Sequence, residues 1–117
     1  MGTIRNRMVI VHHYDLETIK AIREDAVQTF QSLVKEDYKN SEYDVDKEMI
    51  SPILTSLVNS EYSFVIMGDC SKLGWSTSEL FENGRNEWVE KCNRKLKSYK
   101  ILVLDFGEDY ECIVKEV

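Results

Sequence analysis

Apolar positions along the chain fall into two kinds of pattern, short uninterrupted runs and stripes of helical spacing, and the two alternate. Met8-Val9-Ile10-Val11 is a run rich in β-branched residues and predicts a buried strand. Beyond it Ile19, Ile22, Ala26, Phe30 and Leu33 recur every three or four residues, the stripe of a helix lying on a core over about 15–37. Asp15 stands where the N-cap belongs, with Tyr14 and Ile19 spaced as a hydrophobic staple. A second stripe, Met49, Ile50, Ile53, Leu54, Leu57 and Val58, predicts a helix beginning near Ser51. Ser51 would cap it, and Pro52 would sit in the first turn, where proline costs little.

The run Tyr62 to Met67 is apolar on both faces after its start and reads as a central strand ended by Gly68. Ser76 and Glu79 have the spacing of a capping box, and Leu80, Gly84, Trp88, Cys92 and Leu96 follow at every fourth position, with Phe81 and Val89 beside them. Asn83-Gly84 predicts a break in that helix, since glycine costs about 1 kcal/mol there relative to alanine. Lys100 to Phe106 and Tyr110 to Lys115 read as two further strands joined by a Gly107-Glu108-Asp109 turn. Strand, helix and strand from Tyr62 to Phe106 imply a right-handed parallel crossover followed by an antiparallel neighbour. The expected fold is α/β, with α+β as the alternative: one domain over 1–117, a mixed sheet of about four strands and three helices.

Composition supports a folded chain. It is 43% hydrophobic and 31% charged over 117 residues, the size and balance of one globular domain. The longest apolar runs are far shorter than a membrane span or a signal-peptide core, so a cytoplasmic protein without membrane contact is expected. Cys70, Cys92 and Cys112 fit neither a disulfide framework nor a zinc site and are expected as free thiols. The net charge of −6 is shared equally, −3 in residues 1–60 and −3 in 61–117. That argues against nucleic acid and for a basic protein partner.

Candidate chemistry is sparse. The loop from Gly68 to Ser78 holds Asp69, Cys70, Ser71, Ser76 and Ser78 beyond a strand end and before a helix, where small ligands often bind. It lacks the Gly-Lys-Ser/Thr of a phosphate loop, and Ser76 stands where a Cys-x5-Arg phosphatase has arginine. Turn formation and helix capping are therefore its expected role. His12 and His13 are adjacent on a strand and point to opposite faces, so at most one could join a site. The acids from Glu42 to Glu48 fail the calcium-loop pattern because Met49 occupies the glycine position. Asp105-Phe106-Gly107 matches the kinase triplet in letters alone. Basic residues in the third helix, interleaved with Glu82, Glu87 and Glu90, suit the helix dipole.

What is left is two clusters of carboxylates with tyrosines. Asp105, Glu108, Asp109, Tyr110 and Glu111 form one, and Glu42, Tyr43, Asp44 and Asp46 the other. Both are expected to contact a partner, since tyrosine anchors interfaces and opposed charges speed association. In composition and size the chain resembles bacterial immunity proteins that neutralise nuclease toxins. That resemblance implies a non-enzymatic inhibitor that occludes a basic active site, with no catalytic residue, metal or cofactor of its own. It carries no motif and assigns no residue. Two alternatives stay open: an accessory or regulatory protein of a phage or mobile element acting by self-association or host-protein binding through a sheet edge, and a small enzyme or ligand binder using the 68–78 loop.

Overall fold

The computed structural model describes residues 3–72, 74–95, 100–108 and 111–117, the side chain of Lys95 excepted. Its elements are β1 (Arg5–His13), α1 (Leu16–Glu36), α2 (Val45–Glu48), β2 (Leu54–Thr55), β3 (Tyr62–Ile66), α3 (Ser76–Lys95), β4 (Lys100–Gly107) and β5 (Ile113–Glu116). The strands form one sheet in the order β2-β3-β1-β4-β5, with every pair antiparallel.

The fold is α/β as the patterning predicts, and the sheet differs from expectation in one respect. β3 and β4 run the same way and are linked through α3, but β1 lies between them. Its residue Val9 pairs with Ile66 on one side and Val103 on the other. The expected parallel contact is therefore a split βαβ unit, and no parallel pair forms among the described residues. A central strand drawn from the N-terminus explains why Met8 to Val11 is apolar without alternation.

Helix α1 forms as its stripe requires. Asp15 caps it by accepting from the Thr18 amide (3.0 Å), and Ile19, Ile22, Ala26, Phe30 and Val34 turn inward. Tyr14 does not staple the helix: it is exposed and stacks on His13 with ring centroids 4.6 Å apart. Helix α3 runs unbroken through Asn83-Gly84. The missing side chain at Gly84 gives Leu33 of α1 room to approach, for a Cβ there would lie 3.2 Å from Leu33 Cδ2. Phe30, Phe81 and Trp88 cluster at this contact, and Trp88 Nε1 donates to Asp25 Oδ2 across the two helices (3.0 Å).

The helix expected from Ser51 is absent. Residues 49–55 instead lie along β3: Ile50 bridges Ile66, and Leu54 and Thr55 pair with Ser63 and Tyr62. The residue before a proline disfavours helical backbone. Ser51 is held extended by donating its amide to the Val65 carbonyl (2.9 Å) while its Oγ accepts from the Val65 amide (2.8 Å). Pro52, with no N–H to offer a neighbour, fits an edge position. From α1, Arg23 donates to the carbonyls of Ser51, Asp46 and Ile50 (2.8, 3.0 and 3.2 Å) and pairs with the Asp46 carboxylate (2.6 Å). Asn59 and Ser60, both at positive φ, turn the chain back into β3. At the other edge the β4–β5 hairpin closes on Asp105 paired with Ile113, so its connection is longer than a three-residue turn.

Candidate functional site

Side chains alternate across a strand, and residues directly opposite in an antiparallel pair share a face. On β1 the residues Val9 and Val11 are fully buried, as are Phe64 and Ile66 on β3 and, to within 1%, Ile101 on β4. They meet α1 and α3 and form one core. The intervening residues point the other way. Read across the strands, one row is Val65, Ile10, Leu102 and Glu116, and the next is Met67, Met8, Leu104 and Val114. Phe106 continues the pattern opposite Asn6. Among the described residues no helix packs on this side. Ile10, Met8, Val65, Leu102, Leu104 and Phe106 are all only partly buried, and Met67 and Val114 are exposed.

The rim of this open face is polar and largely satisfied within the chain. The Lys100 ammonium lies 3.5 Å from Glu116 Oε1, and the His12 ring nitrogens contact Ser63 Oγ (2.5 Å) and Glu61 Oε1 (2.9 Å). Toward β2 the face adds Leu54, and the hairpin beyond it carries Leu57 and Val58 in the open. Beside β3 a shallow pocket of about 310 Å³ is lined by Met8, Met49, Met67, Val65 and Pro52, with Glu48 at its border. Methionine is unbranched and polarisable and adapts to partners of different shape.

The 68–78 loop lies where the sequence places it, beyond β3 and before α3, and borders a pocket of about 370 Å³ shared with Tyr38, Tyr43, Met49 and Met67. Tyr38 Oη lies 2.5 Å from Asp69 Oδ2 and 2.8 Å from the Thr77 carbonyl, and Asp69 Oδ1 accepts from the Ser71 amide (3.2 Å). Burial, reinforced by Asp69, pushes the Tyr38 phenol far above its ordinary range. Burial and then the Asp69 charge push the Cys70 thiol up as well. Neither group is shifted toward its anionic, nucleophilic form. His13 is buried and accepts the Asp15 amide at Nδ1 (2.8 Å), so it supports the α1 cap, while His12 belongs to the open face. Among the described residues no three histidine, cysteine, aspartate or glutamate side chains converge on a metal position. No helix among them is long and apolar enough to cross a membrane.

The expected acidic clusters are only partly available. Asp105 is not a surface acid: it faces the helix side and is held by Arg5 through Nε and Nη2. Asp44 caps α2 by accepting from the Asp46 amide (3.1 Å), and Asp46 pairs with Arg23. Tyr43 is packed partly against the core. Glu42, Glu108 and Glu111 are exposed, Glu108 accepting from the Ile4 amide (3.2 Å). Asp109 and Tyr110 lie outside the described residues.

Two buried arginines were not foreseen. Arg7 donates to Ser78 Oγ (2.9 Å) and its carbonyl (3.2 Å) and pairs with Glu82 (3.3 Å). Arg85 donates through Nε and Nη2 to Asn86 Oδ1 (3.1 and 2.9 Å). Burial lowers the Arg85 guanidinium from its ordinary value, and nearby Asp105 and Glu82 counter that. Arg7 thereby ties β1 to α3. Comparison with family models, characterised proteins and solved structures finds no match for this chain.

Proposed function

We propose that this chain is a non-enzymatic protein-binding module that docks through the uncovered face of its sheet. The observation that carries this reading is the apolar surface built by Ile10, Met8, Leu102, Leu104, Val65 and Phe106, which the 47–52 segment borders on the β3 side and α1 and α3 leave uncovered. Soluble monomers rarely leave an apolar patch of more than a few hundred Å² exposed, and larger ones mark interaction sites.

In its finer form this reading makes the chain an immunity or inhibitor protein that covers a basic partner, such as a bacterial toxin nuclease. The net charge of −6 and the exposed carboxylates of Glu42, Glu108 and Glu111 support that form, because they would speed encounter with a cationic surface. The test uses wild-type protein as bait beside Ile10→Glu and a Glu108→Lys, Glu111→Lys double variant. Ile10→Glu is expected to lose the captured partner, and the double variant to bind more slowly. A toxin encoded beside the gene should be neutralised by the wild type alone. Capture that survives both Ile10→Glu and Leu104→Lys removes the open face from the reading.

A further inference from the structure

We propose that the pocket bordered by Gly68, Asp69 and Cys70 is a binding site for an alkylammonium group. It lies past the end of β3, and neither the site nor its test depends on the open face of the sheet.

The pocket of about 370 Å³ falls toward the lower end of small-ligand sites, which span roughly 300–1,000 Å³. Its wall is mostly apolar and aromatic, with Val34, Tyr38, Tyr43, Met49 and Met67. Such side chains suit the alkyl carbons of a ligand, and tyrosine rings also attract a cation. Among the described residues Asp69 is the one charged side chain in that lining, and no lysine or arginine forms an ion pair with it. Its oxygens each accept one hydrogen bond, Oδ1 from the Ser71 amide (3.2 Å) and Oδ2 from the Tyr38 hydroxyl (2.5 Å). These bonds fix the carboxylate in place without cancelling its charge. A carboxylate has about four acceptor positions, so roughly two stay open, and an ammonium brings donors to fill them.

The surrounding charges agree. Burial first, and then nearby carboxylates, push the pocket's own ionisable groups up: Asp69 and Asp37 act on Tyr38, Glu48 on Tyr43, and Asp69 on Cys70. Arg7 acts on Tyr38 in the other direction, but it is buried and paired with Glu82 at 3.3 Å. The Lys72 ammonium stands over Trp75, and Lys39 and Lys47 are exposed side chains outside the lining. An electronegative pocket favours a cation over a phosphate or carboxylate ligand. A metal ion does not fit, because among the described residues no three metal-binding side chains converge. An organic cation matches both the apolar wall and the single carboxylate.

Free amines and the lysine side chains of other proteins both carry this group, and the probes separate them. The experiment is a heteronuclear NMR titration of the full chain with n-butylammonium, with butan-1-ol and butyrate as neutral and anionic counterparts, and with Nα-acetyl-lysine N-methylamide. Saturable shifts are expected at Tyr38, Tyr43 and Met67 to Cys70, with a dissociation constant of about 1 mM or below for a cation. Butan-1-ol should bind about tenfold more weakly and butyrate not at all. Asp69→Asn and Tyr43→Leu, each with unchanged circular dichroism, should weaken the cation about tenfold, while Tyr43→Phe and Ile10→Glu keep it. Tighter binding of the lysine amide points to a protein's side chain, and tighter binding of n-butylammonium to a free amine.

Butan-1-ol or butyrate binding as tightly as the cation overturns the proposal. So do shifts centred away from these residues, the absence of saturation up to about 50 mM, or a folded Asp69→Asn that binds like the wild type. If Asp69→Asn does not fold, the comparison of cation, alcohol and anion on the wild type decides.

Discussion

Arg5 on β1 and Asp105 on β4 are joined side chain to side chain on the helix-covered side of the sheet, with the guanidinium donating from both Nε and Nη2. The pair is mostly shielded, at 26% and 16% side-chain exposure, and sits next to the buried Arg7 and Arg85. Asp105→Asn leaves Arg5 without its carboxylate partner and takes the leading nearby negative charge from Arg85, while Arg7 keeps Glu82. It should lower unfolding free energy by about 1–3 kcal/mol in urea titration. The same variant should leave association unchanged, because Asp105 is not on the open face.

Gly68 has no room for a side chain. A Cβ would stand 1.9 Å from Asn6 Oδ1 and 2.5 Å from the Arg7 amide nitrogen. The second neighbour is backbone of the central strand and cannot step aside. Gly68→Ala should therefore destabilise by about 1–3 kcal/mol or more, read as a lower denaturation midpoint.

Gly84→Ala has the opposite sign. Its only close neighbour is the flexible end of Leu33, which borders a groove of about 360 Å³ into which it can shift. The gain in helix propensity, up to about 1 kcal/mol, then exceeds the cost of that shift. A raised melting temperature checks it.

Arg23→Ala removes the donor that ties three carbonyls of the 46–51 segment to α1. A loss of about 2 kcal/mol is expected. Hydrogen exchange should show faster opening at residues 45–55 than at β1 or β4.

Cys70 is exposed yet carries a thiol pushed up by burial of its sulfur environment and by Asp69. Less thiolate is present at pH 8 than in a small free thiol. In a Cys112→Ser background, Cys70 should react with iodoacetamide more slowly than glutathione at pH 8, and the gap should narrow as pH rises. Faster reaction at pH 8 would show an activated thiol.

Elements whose apolar pattern answers to their own neighbours were legible in the sequence. The stripe from Ile19 to Leu33 and the runs at Met8, Phe64 and Ile101 each formed as read, because one helix face or one strand decided them. Met49 to Val58 misled because helical spacing there is coincidental. Ser51 is fixed by Val65, fourteen residues on, and by Arg23, twenty-eight residues back. Asp105 read as a turn acid because its partner Arg5 lies 100 residues away. The open face was missed for a related reason. Strands apolar on both sides ask for cover on both, and the sequence does not say that α1 and α3 share one side. The stripe from Met49 to Val58 stood in the sequence as a possible second cover, but that segment lies along the edge of β3 instead.

The placement of β1 also has a cost during synthesis. β3 can join it once residue 66 has emerged, but β4 begins only at Lys100. At ~5–20 residues per second the ribosome needs seconds to supply that neighbour. Until then the strand carrying Met8 to Val11 holds one edge unpaired and one apolar side bare. Premature termination between Ile66 and Lys100 should give a chain that aggregates rather than one that folds weakly, since β4, made late, is the strand that closes the second edge of β1.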